Sequence, residues 1–176
     1  IAINTTGTDL AAIPMTVGAN NTIWTYDYNV PSGSDGTATV TISGPDLAGN
    51  ANQAAANNTF TIDNTAPTLA LSSTATQTTS ISPIPVTATF SEAVTGFSIG
   101  DVIVGNGAAG NFTAVSSSVY RFTVTPAAQA LVTVNVGDGA AQDAAGNGNP
   151  AAAPLGRTYR LSPTVILASP NGGEDL

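Results

Sequence analysis

The chain has 176 residues, of which 42% are hydrophobic, and a net charge of −8, because eleven acidic residues face only three arginines. It contains no lysine, histidine or cysteine, which excludes a Ser-His-Asp triad, a thiolate nucleophile, a Schiff base and the usual zinc sites. The scarcity of cations argues against nucleic-acid binding and against contact with anionic membranes, and no apolar run reaches the ~20 residues that span a bilayer. Three possibilities remain: an enzyme that uses carboxylates, a binding site for hard cations, or a protein with neither a catalytic nor a metal site.

The apolar residues are mostly β-branched and recur at every second position, which predicts strands rather than helices. In chain order, the alternating segments are 24–28, 39–42, 60–62, 86–90, 120–124 and 132–136. Turn-forming Gly, Asn, Asp and Pro separate them, as at 31–36, 105–107 and 137–139. Short strands without helical stretches predict an all-β, antiparallel sandwich of the Greek-key type. We expect Trp24 and Tyr120 in the core, because each is an aromatic residue on an alternating strand.

The chain repeats itself after 96 or 97 residues. Asp-Leu-Ala-Gly-Asn at 46–50 returns as Asp-Ala-Ala-Gly-Asn at 143–147, and segments 23–26 and 66–71 match 119–122 and 162–167. An immunoglobulin-like sandwich has about 100 residues, so this period predicts tandem immunoglobulin-like β-sandwiches. The positions of the matching segments predict that the chain has three parts. These are an incomplete repeat lacking its N-terminal strands at 1–64, a complete repeat at 65–161, and the first strand or linker of a following module at 162–176.

These sequences resemble the bacterial Ig-like repeats of large surface proteins and adhesins. The resemblance lies in segments 90–104, 120–126 and 143–147, in the joint-like segment 63–68, and in segment 30–43, which resembles a sister type. Segment 169–174 resembles the opening of another sandwich module of secreted prokaryotic proteins. The resemblance implies a non-enzymatic, extracellular module at the cell surface, within a tandem stalk or filament. Its implied partners are neighbouring repeats or identical subunits, with a host or surface glycan or protein as target.

The sequence leaves open one variant of this function and one alternative function. The apolar segment 163–167 could complete a neighbour's incomplete repeat by strand addition, which would make the chain a polymerising subunit. One strand does not readily replace two, which counts against this variant. The alternative from another class is a carbohydrate- or protein-binding accessory domain of a secreted enzyme. It needs a concave aromatic site, whereas the alternation assigns most aromatic residues to core faces.

The acidic residues of the repeated motif have two interpretations. An Asp followed by Gly-Asn suits a tight turn, because Asp accepts backbone N–H bonds and Gly and Asn tolerate positive φ. Asp and Asn oxygens are also ligands that calcium prefers, and the resemblance implies calcium near the joints between repeats. The ligands would then be Asp46 and Asp63 in the first copy and Asp138 and Asp143 in the second.

Glu92 is a candidate catalytic acid. A glycosidase needs two carboxylates ~5–10 Å apart in a cleft, and Asp101 is the other acid nearby in sequence. We therefore interpret Glu92 as a solvent-facing strand end and expect no catalytic residue. Glycosylation sequons begin at Asn4, Asn20, Asn57 and Asn111, but such triplets arise readily by chance in a chain rich in Asn and Thr.

Overall fold

The structure is a computed structural model that describes residues 2–4, 13–18, 23–33 and 35–162. Its regular structure in these ranges is β-strand, apart from one short 3-10 turn, and this confirms the predicted all-β fold class. The chain divides into two compact units: unit 1 comprises 1–66 and 145–147, and unit 2 comprises 67–144 and 148–176. The donor strand predicted at 163–167 and the module opening at 169–174 lie outside the described residues.

The described part of unit 1 contains five short strands. They are β1 (Ala2–Asn4), β2 (Thr16–Val17), β3 (Trp24–Thr25), β4 (Gly36–Thr41) and β5 (Thr59–Ile62). One antiparallel sheet has the order β1-β4-β5, and β2 pairs with β3 as a separate antiparallel hairpin. Ala38 and Ile62 form the buried core, against which Tyr26, Tyr28 and Val40 pack. These described residues bury little apolar surface, so their burial contributes little to stability.

Within residues 67–162, unit 2 contains eight strands in two sheets. They are β6 (Leu69–Ser72), β7 (Thr78–Thr79), β8 (Ile84–Phe90), β9 (Val102–Gly105), β10 (Gly107–Ala114), β11 (Val119–Pro126), β12 (Leu131–Val136) and β13 (Leu155–Tyr159), with the 3-10 turn Ile99–Asp101 before β9. The sheet orders are β10-β11-β8-β6 and β7-β13-β12-β9. Pairing is antiparallel except between β7 and β13, which are parallel. These orders reproduce the ABED and CFG sheets of an immunoglobulin sandwich, with β7 added beside the last strand.

The predicted alternation builds the core of unit 2. Val86, Ala88 and Phe90 of β8 are buried, as are the matching residues of β11 and β12. Their intervening threonines and asparagine lie in more exposed positions, as expected for a sheet with one face on the core. Tyr120 is buried as predicted, with its ring centroid 6.0 Å from that of Phe90. Burying each such large side chain stabilises the fold by about 1.5–3 kcal/mol.

The prediction that Trp24 belongs to the core is wrong. Trp24 is 54% exposed, whereas Tyr120, which occupies the equivalent position 96 residues later, is 7% exposed. Phe90 of β8 covers Tyr120, and no strand in the described part of unit 1 corresponds to β8. The strand predicted at 24–28 is also shorter than expected, because β3 ends at Thr25.

Candidate functional site

The two copies of the Asp-x-Ala-Gly-Asn motif form the same loop. An isolated antiparallel bridge joins Pro45 to Ala51, and an equivalent bridge joins Gln142 to Gly148, 97 residues later. Within these loops Gly49 and Gly146 have φ values of 87° and 94°, which glycine adopts without steric cost. The sequence repeat therefore corresponds to a repeated backbone conformation, in segments 44–52 and 141–149, which we call the motif loops.

A buried asparagine closes the second motif loop. Asn149 is only 1% exposed. Its Oδ1 accepts the N–H of Ala141 at 2.7 Å, and its Nδ2 donates to the carbonyls of Gly137 at 3.0 Å and Pro150 at 2.9 Å. These bonds satisfy the polar atoms of the side chain and fix both ends of the loop.

Asn52 makes three similar bonds in unit 1, of which those to Gly44 and Gln53 are equivalent to bonds of Asn149. Its Oδ1 accepts the N–H of Gly44, and its Nδ2 donates to the carbonyls of Ile42 and Gln53, each at 3.0 Å. Asn52 differs from Asn149 in being exposed. Sequence reasoning missed both residues, although they stand 97 positions apart like the motifs that precede them.

Asp46 organises the turn of the first motif loop. Its Oδ1 accepts the N–H groups of Ala48 and Asn50, both at 2.8 Å, and its Oδ2 accepts Nδ2 of Asn50 at 2.9 Å. The hydrogen bonds from the side chain and then the backbone of Asn50 hold the pKa of Asp46 below its ordinary value. The structure thus accounts for Asp46 as a turn residue, while calcium binding by Asp46 stays a prediction.

Asp35 plays a comparable part beside the end of β5. Its carboxylate accepts hydrogen bonds from the Thr65 hydroxyl and from the N–H of Asn64, the latter at 2.6 Å. These two bonds, that of Thr65 first, lower the pKa of Asp35 below its ordinary value. The bonds tie the turn before β4 to the segment that follows β5.

Asp63 and Asp138 are two further predicted ligands. Asp63 belongs to unit 1, where its carboxylate accepts the N–H of Thr65 at 3.1 Å and its main-chain oxygen accepts Nδ2 of Asn147 at 3.1 Å. Asp138 lies exposed in the turn after β12. The calcium role of both residues stays a prediction.

Asp143 and Glu92 come together in unit 2. Asp143 is 4% exposed, Glu92 is half-buried, and carboxylate oxygens of the two lie within 4.8 Å of each other. Glu92 is therefore not the solvent-facing strand end that we expected. Two carboxylates this close, with little solvent, repel each other unless a proton, hydrogen-bond donors or a cation compensates. Their oxygens are suitable ligands for a hard cation such as calcium.

Comparison with known proteins identifies the family. A family model described as "Bacterial Ig-like domain" matches residues 63–158, which is more than half of the chain. The chain therefore belongs to the bacterial Ig-like domain family, as its resemblance implied. Such domains are generally non-catalytic structural or adhesion-type modules, and they are commonly extracellular or surface-associated. No curated protein and no solved structure matches the chain. In the described ranges no helix has the length and apolar character to cross a membrane.

Proposed function

We propose that the chain is a non-enzymatic extracellular structural module, a segment of a tandem Ig-like stalk or filament of a bacterial surface adhesin. Membership of the bacterial Ig-like family supports the structural class. The motif loops, which recur at an offset of 97 residues, support the tandem arrangement. A surface with a net charge of −8 and no lysine limits aggregation and non-specific contacts. The partners would be neighbouring repeats or identical subunits.

The parallel pair β7–β13 is the observation that carries this proposal. The N–H of Thr158 donates to the carbonyl of Gln77 at 2.8 Å, and the N–H of Arg160 donates to that of Thr79 at 2.9 Å. These strands lie near the beginning and the end of unit 2. Because they are parallel, tension on the two ends of the unit pulls them in opposite directions along their axes. Both hydrogen bonds then carry the load together, which suits a stalk under force.

Single-molecule stretching tests this mechanical role. The Arg160→Pro variant loses the N–H that bonds Thr79, so we expect unit 2 to unfold at a lower force with the same gain in length. The Arg160→Ala variant keeps the N–H and is the matched control. If the proline variant unfolds at the force of the parent, the pair does not bear the load.

Surface exposure and target binding need separate measurements. Antibodies raised against the chain should label intact cells of the source bacterium, and labelling that requires lysis would contradict an extracellular role. A glycan array distinguishes the stalk from the alternative, a carbohydrate- or protein-binding accessory domain of a secreted enzyme. Specific glycan binding by the chain alone would favour that alternative.

We also propose that calcium binds to Asp143 and Glu92 in unit 2. The support is the short distance between their carboxylates and the low exposure of Asp143. Calcium supplies the positive charge that such a pair favours, and it prefers oxygen ligands. The sequence-based prediction pairs Asp143 with Asp138 in the second copy, and Asp46 with Asp63 in the first.

Thermal melting in calcium and in chelator tests this proposal. A module with a Kd of about 0.1 mM is stabilised by about 2.7 kcal/mol at ~10 mM free calcium. Glu92→Gln and Asp143→Asn should abolish this shift, whereas Asp138→Asn should retain it if the ion lies on Glu92 and Asp143 alone. Asp46→Asn and Asp63→Asn test the two ligands predicted in the first copy. Identical melting of the parent in calcium and in chelator would contradict the proposal.

A further inference from the structure

The outer face of one sheet of unit 2 carries a groove, which has a volume of about 450 Å³ and lies over β8 and β11. The residues that line it include Thr74, Pro85, Thr87, Asn111, Arg121 and Thr123. Sites for small molecules in proteins commonly have volumes of about 300–1,000 Å³. The groove therefore has the size of a small-ligand site.

Arg121 places a positive charge in this groove. It is exposed, and it is the only charged residue in the four strands β6, β8, β10 and β11 of the sheet. Within the described part of the chain its guanidinium forms no ion pair and no hydrogen bond, whereas that of Arg157 donates to three main-chain carbonyls. A guanidinium with free donors is a planar fork that fits a carboxylate. The charge therefore favours a ligand that carries a carboxylate.

A β-bulge supplies a hydrogen-bond acceptor at the same groove. The register of β10 against β11 shifts within residues 110–113, where Asn111 has a φ of 51°. Nδ2 of Asn111 donates to the Thr123 hydroxyl at 3.0 Å. Among the described residues, neither Oδ1 of Asn111 nor the hydroxyl of Thr87, which pairs with Arg121 across the sheet, has a hydrogen-bond partner. A cation, an acceptor and a hydroxyl in one groove suit a ligand that carries hydroxyl groups as well as the anion.

Two features of the groove argue against a peptide strand and against a nucleic acid. β11 pairs with β10 on one side and with β8 on the other, so the floor of the groove offers no free strand edge to the main chain of a peptide. One arginine in a chain of net charge −8 does not attract a polyphosphate. A sugar needs no strand edge, because its hydroxyls bond to side chains, and an acidic sugar also has the carboxylate that fits Arg121.

We propose that this groove of unit 2 binds an acidic sugar, a uronic-acid or sialic-acid residue of a polysaccharide. The carboxylate pairs with the guanidinium of Arg121, and ring hydroxyls bond to the Thr87 hydroxyl and to Oδ1 of Asn111. Pro85 offers an apolar surface to the C–H groups of the ring. One such site binds too weakly for a glycan array of the isolated chain, so a stalk would hold a polysaccharide through many repeats at once. The proposal does not rest on the stalk function, because binding is measured on the chain alone.

An NMR titration of the isotope-labelled 176-residue protein tests this site. The probes are digalacturonic acid and the methyl glycoside of N-acetylneuraminic acid, which represent the two sources of the carboxylate. We expect at least one of them to shift the amides of Thr87, Arg121 and Thr123 saturably at millimolar concentration, and the tighter one identifies the source. The matched control is the methyl ester of that sugar, which lacks the negative charge and should bind at least tenfold more weakly.

Variants of the protein test the groove rather than the sugar. Arg121→Gln should weaken binding at least tenfold, and Thr87→Val, which keeps the β-branched shape, should weaken it about three- to tenfold. Arg160→Gln removes an exposed arginine that does not line the groove and should leave the affinity unchanged. Thermal melting of each variant verifies its fold. The proposal is overturned if neither sugar shifts these amides, if the ester or acetate binds as tightly as the acid, or if Arg121→Gln binds like the parent.

Discussion

Asn149 illustrates how one buried polar side chain holds a loop together. Asn149→Ala removes the partners of the Ala141 N–H and of two carbonyls, and each buried unsatisfied group costs about 1–3 kcal/mol. We expect unit 2 to lose about 3 kcal/mol of unfolding free energy, measured by urea denaturation. Asn52→Ala is the matched control, because Asn52 also accepts one N–H and donates to two carbonyls, but in an exposed position where water replaces these bonds. Equal losses in both variants would contradict this argument.

Single residues also show where sequence reasoning succeeds and where it stops. The burial of Tyr120 was predicted correctly because apolar and polar residues alternate along its strand. The same alternation around Trp24 predicted burial there, and that prediction is wrong. Whether an inward-facing aromatic residue is buried depends on a covering strand, and local alternation carries no information about that strand. Glu92 was misjudged because its neighbour Asp143 is 51 positions away in sequence and reaches it through the fold alone. Asn149 was accessible to sequence reasoning, since it repeats Asn52 at the offset of the motif.

At the scale of elements, long alternating strands are predictable and short ones are not. The predicted segments 86–90 and 132–136 lie within β8 and β12, because a face buried against the core imposes a period of two. β7 has two residues, Thr78 and Thr79, and thus no pattern to detect. Its pairing arises from the position of β13 in the completed sandwich.

Arg157 fixes the connection between β6 and β7. Its Nε donates to the carbonyl of Ala75 at 3.0 Å and its Nη2 to that of Ser73 at 3.4 Å. Arg157→Lys keeps the charge but loses the planar fork that reaches two carbonyls at once. Hydrogen bonds to charged groups contribute about 1.5–3 kcal/mol each, so we expect unit 2 to lose about 2 kcal/mol in urea unfolding. Arg160→Lys, at an exposed position, should lose almost none. If Arg157→Lys is as stable as Arg160→Lys, the connection between β6 and β7 does not depend on the hydrogen bonds of Arg157.

At the scale of the molecule, the two units share a loop and a strand pattern but differ in what they bury. Among the described residues, the core of unit 2 contains sixteen buried apolar residues, whereas that of unit 1 contains Ala38 and Ile62. Buried apolar surface is the main favourable term in folding. We therefore expect the described strands of unit 1 to be less stable than those of unit 2, where β6 and β8 contribute to the buried core.

Amide hydrogen exchange should reveal this inequality directly. Local opening is easiest where few apolar contacts hold the backbone, so amides of β4 and β5 should exchange at least tenfold faster than those of β8, β11 and β12. The comparison is internal, since both units are present in each molecule at the same pH and temperature. The Asn149→Ala variant should accelerate exchange in unit 2 and leave β4 and β5 unchanged, which separates the units experimentally. Equal protection in the parent would mean that unit 1 gains its stability from contacts other than its own buried core.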